Sequence, residues 1–140
     1  MATEEDFESI LTLSEKFWES TIYDEPFDRE HVLVMVKVSY DSGLLAVIDC
    51  GGVVGFCSAV MAPILGSPNA YGATEIAWYV SPESRGGKSG IKLMQFMEEI
   101  AKEAGVKYFT MISMHSSMDV GFIYERLGYK KTETAYTKVI

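Results

Sequence analysis

The sequence predicts a single α/β domain, residues 1–140, and three observations carry that prediction. Apolar residues recur at helical spacing near the N-terminus and again after Ile91, while β-branched and aromatic runs lie between and beyond them. Residues 74–90 read in direct succession as strand, glycine-rich turn and helix start. A chain of 140 residues, 48% hydrophobic and 23% charged, has the composition of a globular protein and the length for one core.

The elements follow in order. Phe7, Ile10, Leu11, Ser14, Phe17 and Trp18 share one face of a helix, and Thr3-x-x-Asp6 ahead of them has the form of a capping box. Residues 20–30 form a loop around Pro26 that gathers Asp24, Glu25, Asp28 and Glu30; its plainest reading is a solvated linker. Residues 31–40 are ambiguous: their valines favour a strand, whereas Asp28 is placed to cap a helix and Asp41-Ser42-Gly43 to close one. Residues 44–49 and 53–61 read as strands joined by a tight turn at Gly51-Gly52, and residues 62–72, with Pro63, Gly66, Pro68 and Gly72, read as a loop.

The next strand runs through the apolar residues 76–80 and ends at Ser81-Pro82. Beyond the turn, Ile91, Met94, Met97 and Ala101 lie on one stripe that also takes in Leu93, Phe96 and Ile100, and Gly105 closes that helix. Residues 106–113 predict a strand, Ser116-x-x-Asp119 caps a short helix stopping at Leu127-Gly128, and residues 129–139 predict one or two final strands from the alternation of Thr134, Tyr136 and Lys138.

Gly86, Gly87 and Gly90 bare backbone N–H groups at a helix N-terminus, where the helix dipole adds positive potential, so the turn suits a phosphate or pyrophosphate. Gly87-Lys88-Ser89 has the tail of a P-loop, but the pattern needs a glycine where Pro82 stands. A dinucleotide turn fails as well, since the glycine spacing is wrong and the turn falls in mid-chain.

Arg85-Gly86-Gly87-Lys88-Ser89-Gly90 after an apolar strand, with Tyr124-Glu-Arg-Leu-Gly128-Tyr129 on a later helix, resembles the GNAT superfamily of acyl-CoA-dependent N-acyltransferases. The resemblance covers essentially the whole chain. It implies the GNAT fold, a central mixed, mostly antiparallel sheet flanked by about four helices, and it makes residues 29–41 the second helix. It implies acetyl-CoA as cofactor, with the backbone at Arg85, Gly86, Gly87, Lys88, Ser89 and Gly90 around the pyrophosphate. Lys88 departs from the family's usual glycine, and Ser117 and Val120 stand where an Asn and an Ala are common. Ser117 is carried as a cofactor-binding position.

The activity implied is N-acetyl transfer from acetyl-CoA to a primary amine by direct attack. Glu75 falls where similar enzymes carry a general base, although a carboxylate near a strand end is also an ordinary surface residue. The strand backbone at Trp78 and Val80 would hold the thioester and pantetheine, and Tyr124 would protonate the departing thiolate unless it is only a core aromatic. Asp24 and Glu25 mark the acceptor side and suit an amine that arrives as a cation, either a small molecule or a protein lysine or N-terminus. A GNAT-shaped module that binds acyl-CoA or a protein without turnover is the alternative.

The net charge of -8, with twelve Lys and Arg, speaks against a nucleic-acid partner. No apolar run approaches the roughly 20 residues that span a bilayer, and no leader is recognisable, so no membrane partner and a cytoplasmic location are expected. Cys50 and Cys57 are expected to be reduced and buried, His115 to be a loop histidine, and no metal site to exist. A homodimer is compatible with all of this.

Overall fold

The computed structural model describes residues 1–114 and 119–140. A single 3₁₀ turn, Glu4–Asp6, leads into helix α1, Phe7–Trp18. The Asp6 carboxylate accepts the Thr3 N–H at 2.8 Å and the Thr3 hydroxyl at 3.1 Å, which fixes the helix entry as the capping pattern predicts. Phe7, Ile10, Leu11, Leu13 and Ser14 are its buried residues. Helix α2, Arg29–Asp41, settles the ambiguous segment: the Asp28 carboxylate accepts the His31 N–H at 2.9 Å, and Gly43 leaves the helix at φ +73°.

Strands β1, Leu45–Asp49, and β2, Val53–Ile64, form the expected hairpin. Its turn is held by Asp49, whose carboxylate accepts the N–H groups of Gly51 and Gly52 at 2.9 and 2.8 Å. The loop expected at residues 62–72 is corrected. β2 continues to Ile64, and β3, Ser67–Val80, starts only three positions on, with Ala62 opposite Gly72 and Pro63 opposite Tyr71. Beyond Ala59, β2 has left its pairing with β1, so this half of the strand has one neighbour and tolerates the missing N–H of Pro63.

Helix α3, Ser89–Glu103, ends at Gly105 with φ +84° and feeds β4, Val106–Thr110, three residues shorter than expected. Helix α4, Gly121–Arg126, closes at Gly128 with φ +94°. The Asp119 carboxylate accepts the Gly121 N–H at 3.0 Å there, while Ser116 lies outside the described residues. The expected final strands are not found: residues 129–140 pair with no strand among the described residues, and residues 131–140 are exposed. Strand-like alternation needs a neighbouring edge before it becomes a strand, and here none is engaged.

The sheet order is β1-β2-β3-β4, antiparallel except for the parallel pair β3 and β4. It is the mixed, mostly antiparallel sheet with four flanking helices that the resemblance implies. One core, with Ile10, Leu11, Val36, Leu45, Phe56 and Tyr79, fills the space between α1, α2 and the sheet. The other, with Leu93, Met97 and Ile100 of α3 over Ala46, Cys57 and Ala73, fills the opposite face. Cys57 is buried, but Cys50 sits exposed in the hairpin turn, which corrects the expectation of two buried thiols.

The feature that places the site is a fork. β3 and β4 pair from Tyr71 to Thr74 and then part, because an irregularity that leaves Ile76 without a partner kinks β3 between Glu75 and Ala77. From Glu75 to Val80, β3 has no partner on its β4 side among the described residues.

Candidate active site

Glu75 sits in the crotch of the fork. It is 5% exposed, not a surface carboxylate, and its Oε2 accepts the backbone N–H of Ile112 at 2.9 Å. Burial pushes its pKa up to about 7, partly offset by the N–H groups of Ile112 and Trp78 that face it. Ser81 donates its N–H to Val54 at 2.8 Å, and N–H groups alternate sides along an antiparallel pair; Trp78 and Val80 therefore turn theirs away from β2, toward the open edge. The Trp78 N–H faces the Glu75 carboxylate there and helps hold its pKa down.

Tyr124 of α4 reaches the same place from the far side. Its hydroxyl donates to the Ile112 carbonyl at 3.1 Å, and its ring lies 5.9 Å from Trp78 and 5.8 Å from Tyr129. Burial, and then the charge of Glu75, push its pKa well up, so the phenol is a proton donor at neutral pH. The Cys57 thiol, on β2 opposite Trp78, is raised by burial and by Glu75, and so stays protonated.

The glycine turn sits at the outer end of β3. Gly86 takes φ +85°, a conformation that side chains resist, and a Cβ at Gly86 or Gly87 would meet no atom within 4 Å, so that face of the turn is open. The first turn of α3 has no acidic residue and no side-chain cap, which leaves its N–H groups for an anion. Gly90 packs on the strand: a Cβ there would lie 3.4 Å from the Trp78 ring and 3.6 Å from Val80. Lys88 occupies the N-cap position with its side chain exposed. These features fit the pyrophosphate of a coenzyme A.

Arg85 is turned the other way. Its Nε donates to the Val80 carbonyl at 2.7 Å and its guanidinium lies 5.3 Å over the Tyr79 ring, so the side chain ties the turn to the strand end. Ser117 and His115 lie outside the described residues. Asp24 and Glu25 are exposed in the α1–α2 loop; the Glu25 carbonyl accepts the Trp18 indole N–H at 2.9 Å, and neither carboxylate is tied to the fork among the described residues. The structure thus brings Glu75, Trp78 and Tyr124 together, sets Val80 and the glycine turn at the outer end of the same strand, and leaves Asp24 and Glu25 apart from them. Shallow hollows of about 370 and 290 Å³ lie beside α1 and Ser81 and between β1 and α3, the second reaching Ser89 at the glycine turn.

Sequence reasoning missed two participants. Ile112 contributes only its backbone, for which no side-chain signal exists. Glu98 of α3 accepts the Tyr129 hydroxyl at 2.7 Å and so fastens the end of α4 beside Tyr124. No group of metal-ligating side chains, and no helix long and apolar enough to cross a membrane, is found among the described residues.

A family model described as an acetyltransferase (GNAT) domain matches residues 39–131, well over half of the chain. The chain therefore belongs to the GNAT acetyltransferases, and it is an acyltransferase. Solved structures share the fold over nearly the full length. A transcriptional regulator from Bacillus halodurans C-125 has a TM-score of 0.78 at 22% identity, covering 99% of this chain and 96% of its own. A predicted acetyltransferase from Clostridium acetobutylicum, crystallised with acetyl-CoA, has a TM-score of 0.75 at 12% identity, with coverages of 99% and 92%. A ribosomal-protein-alanine N-acetyltransferase from Brucella melitensis biovar Abortus 2308 has a TM-score of 0.73 at 16% identity, with coverages of 97% and 94%. A search of curated proteins returned no match.

Proposed function

We propose that this enzyme transfers the acetyl group of acetyl-CoA to a primary amine by direct attack, with Glu75 as general base and Tyr124 as general acid. The observation that carries the reading is that Glu75 and Tyr124 converge on one residue, Ile112, where β3 and β4 part. Acetyl-CoA supplies an activated thioester. The open glycine turn and the first turn of α3 would hold its pyrophosphate, and the free N–H of Val80 on the unpaired edge would face its pantetheine arm.

A lysine-like amine has a pKa near 10.4, so its neutral form costs roughly 4 to 5 kcal/mol at pH 7. A carboxyl with a pKa of about 7 is matched to that pH and takes the amine proton, directly or through a water. The nitrogen lone pair forms the new C–N bond, the C–S bond breaks, and the sulfur leaves with its electron pair and takes a proton from Tyr124. The second N–H proton, shed as the amide forms, restores the phenol through solvent, and Glu75 gives its own proton to solvent. The two groups are coupled in a useful sense: the charge of Glu75 raises Tyr124, so once Glu75 has taken a proton that charge is gone and the phenol becomes the stronger acid.

The acceptor class follows from charge. A net charge of -8 and the exposed carboxylates of Asp24 and Glu25 favour an amine that arrives protonated. Small cationic amines and a protein lysine or N-terminus both meet that description. Calorimetry with acetyl-CoA, followed by thiol release with a panel of such amines and peptides, tests the reading; acetyl-CoA binding without thiol release from any amine would overturn it.

A further inference from the structure

Tyr124 is held between two rings, and helix α3 stands behind both. Its ring lies 5.9 Å from Trp78 and 5.8 Å from Tyr129. Gly90, in the first turn of α3, backs the first, since a Cβ there would lie 3.4 Å from the Trp78 ring. Glu98, about two turns further along, backs the second: its Oε1 accepts the Tyr129 hydroxyl at 2.7 Å.

Helix α4 depends on such support. It has six residues, where an isolated helix needs roughly 12 or more, and Tyr124 is its one buried residue. At its end the Tyr129 N–H donates to the Tyr124 carbonyl at 3.0 Å, which sets the Tyr129 ring against the phenol that would give up a proton. The bond to Glu98 is the last side-chain hydrogen bond on that end of the chain among the described residues.

The Glu98 carboxylate is committed to this bond. Lys102 stands one helical turn on, at the spacing where Glu and Lys pair, yet no ion pair joins them among the described residues. A carboxylate that accepts from a phenol makes a short, charge-assisted bond, and both side chains are half-buried, so water competes with it less. Burial, and then the bond to Glu98, push the Tyr129 pKa up, which keeps its hydroxyl a donor.

We propose that Glu98 is a positioning residue for Tyr124: by holding Tyr129 it fixes the direction in which the Tyr124 phenol faces the departing sulfur, a role that rests on Tyr124 being the general acid. It also ties that direction to the helix whose first turn would take the cofactor pyrophosphate. Glu98 touches no reacting atom, so its loss acts on the proton-transfer step and not on the binding of acetyl-CoA.

Steady-state kinetics test this, with acetyl-CoA and the amine of the acceptor panel that releases thiol fastest, and with circular dichroism on every variant. Glu98→Ala and Tyr129→Phe should each lower kcat about 10-fold and leave the KM for acetyl-CoA within about twofold. Glu98→Gln keeps an acceptor oxygen and should recover most of that loss, to within about threefold of the parent. In a chain already carrying Tyr124→Phe, Glu98→Ala should change kcat less than about twofold, because the residue it positions has lost its hydroxyl. Apart from turnover, the amides of residues 123–129 should exchange faster in Tyr129→Phe than in the parent.

A loss that persists in full beside Tyr124→Phe overturns the proposal, as does a Tyr129→Phe enzyme with the parent's kcat or with unchanged exchange across α4. Tyr129→Phe removes one hydroxyl only, so it decides the matter where Glu98→Ala loses the fold. If Tyr124→Phe lowers kcat and Tyr129→Phe does not, the positioning role alone falls. If Tyr124→Phe leaves turnover intact, the general acid falls and Glu98 with it.

Discussion

Glu75 and Tyr124 hold the two sides of one residue: Glu75 accepts the Ile112 N–H at 2.9 Å, and Tyr124 donates to the Ile112 carbonyl at 3.1 Å. They come from β3 and α4, and they meet because β4 leaves β3 after Thr110 and carries Ile112 between them. A buried carboxyl and a buried phenol are thus set a single residue apart at the place where the sheet opens.

Glu75→Gln should lower kcat/KM at pH 7 by about 100-fold, the scale of a lost general base. The parent should show a rise in kcat/KM centred near pH 7, the pKa to which burial lifts Glu75. In the variant that inflection should vanish, leaving only the rise from the acceptor's own deprotonation. An activity within twofold of the parent, or an unchanged profile, would remove Glu75 from the chemistry.

The same pKa sets the stability against pH. Glu75 titrates at about 7 in the folded chain against 4.5 for an unperturbed carboxyl, so the folded state holds the proton more tightly. The associated stability is fully present below pH 4.5, falls as pH rises, and is gone above pH 7, a change of about 3 kcal/mol from the shift alone. Glu75→Gln should lack this slope, so its melting temperature should gain on the parent's between pH 5 and 8. Parallel melting curves across that window would show that the carboxyl is not raised.

Tyr124→Phe should reduce kcat by about 10- to 100-fold while leaving the KM for acetyl-CoA within about threefold, because the phenol acts on the departing sulfur and not on binding. It should also cost about 1 kcal/mol of stability, since the Ile112 carbonyl loses its donor. A loss of stability with turnover intact would make Tyr124 a structural residue only.

How far the sequence reveals this arrangement depends on the kind of signal. Helix spacing and caps are local, so α1, α3 and the entry to α2 at Asp28 are legible. Residues 62–72 misled because Pro63, Gly66, Pro68 and Gly72 have the composition of a loop, although an edge carries them as strand. The tail misled in the opposite sense, since a strand pattern says nothing of whether a partner edge is present. Glu75 is legible only through the family resemblance, and its burial beside the irregularity at Ile76 has no signal in its residue type. The Arg85 side chain, which the motif does not direct, packs back on the strand end against the Tyr79 ring and the Val80 carbonyl.

Asp24 and Glu25 should act on the acceptor alone. Reversing both to Lys should raise the KM of a cationic amine about fivefold or more at low salt, with the effect shrinking as ionic strength rises past the point where the Debye length is about 10 Å. The KM for acetyl-CoA should not follow. Unchanged acceptor kinetics at low salt would move the acceptor site away from the α1–α2 loop.

Lys88 and Gly86 separate side-chain from backbone contact at the turn. Lys88 is exposed at the N-cap of α3, so Lys88→Ala should weaken acetyl-CoA binding about fivefold, near 1 kcal/mol, with no change in melting temperature. Gly86 holds φ +85°, and Gly86→Ala should cost about 1 to 2 kcal/mol of backbone strain whether or not a ligand is bound. Calorimetry in low and high salt distinguishes the two, because only the lysine contribution is screened. If Lys88→Ala binds acetyl-CoA as the parent does while Gly86→Ala loses affinity beyond its loss of stability, the pyrophosphate is held by backbone N–H groups alone, and the lysine at the family's glycine position is a surface substitution.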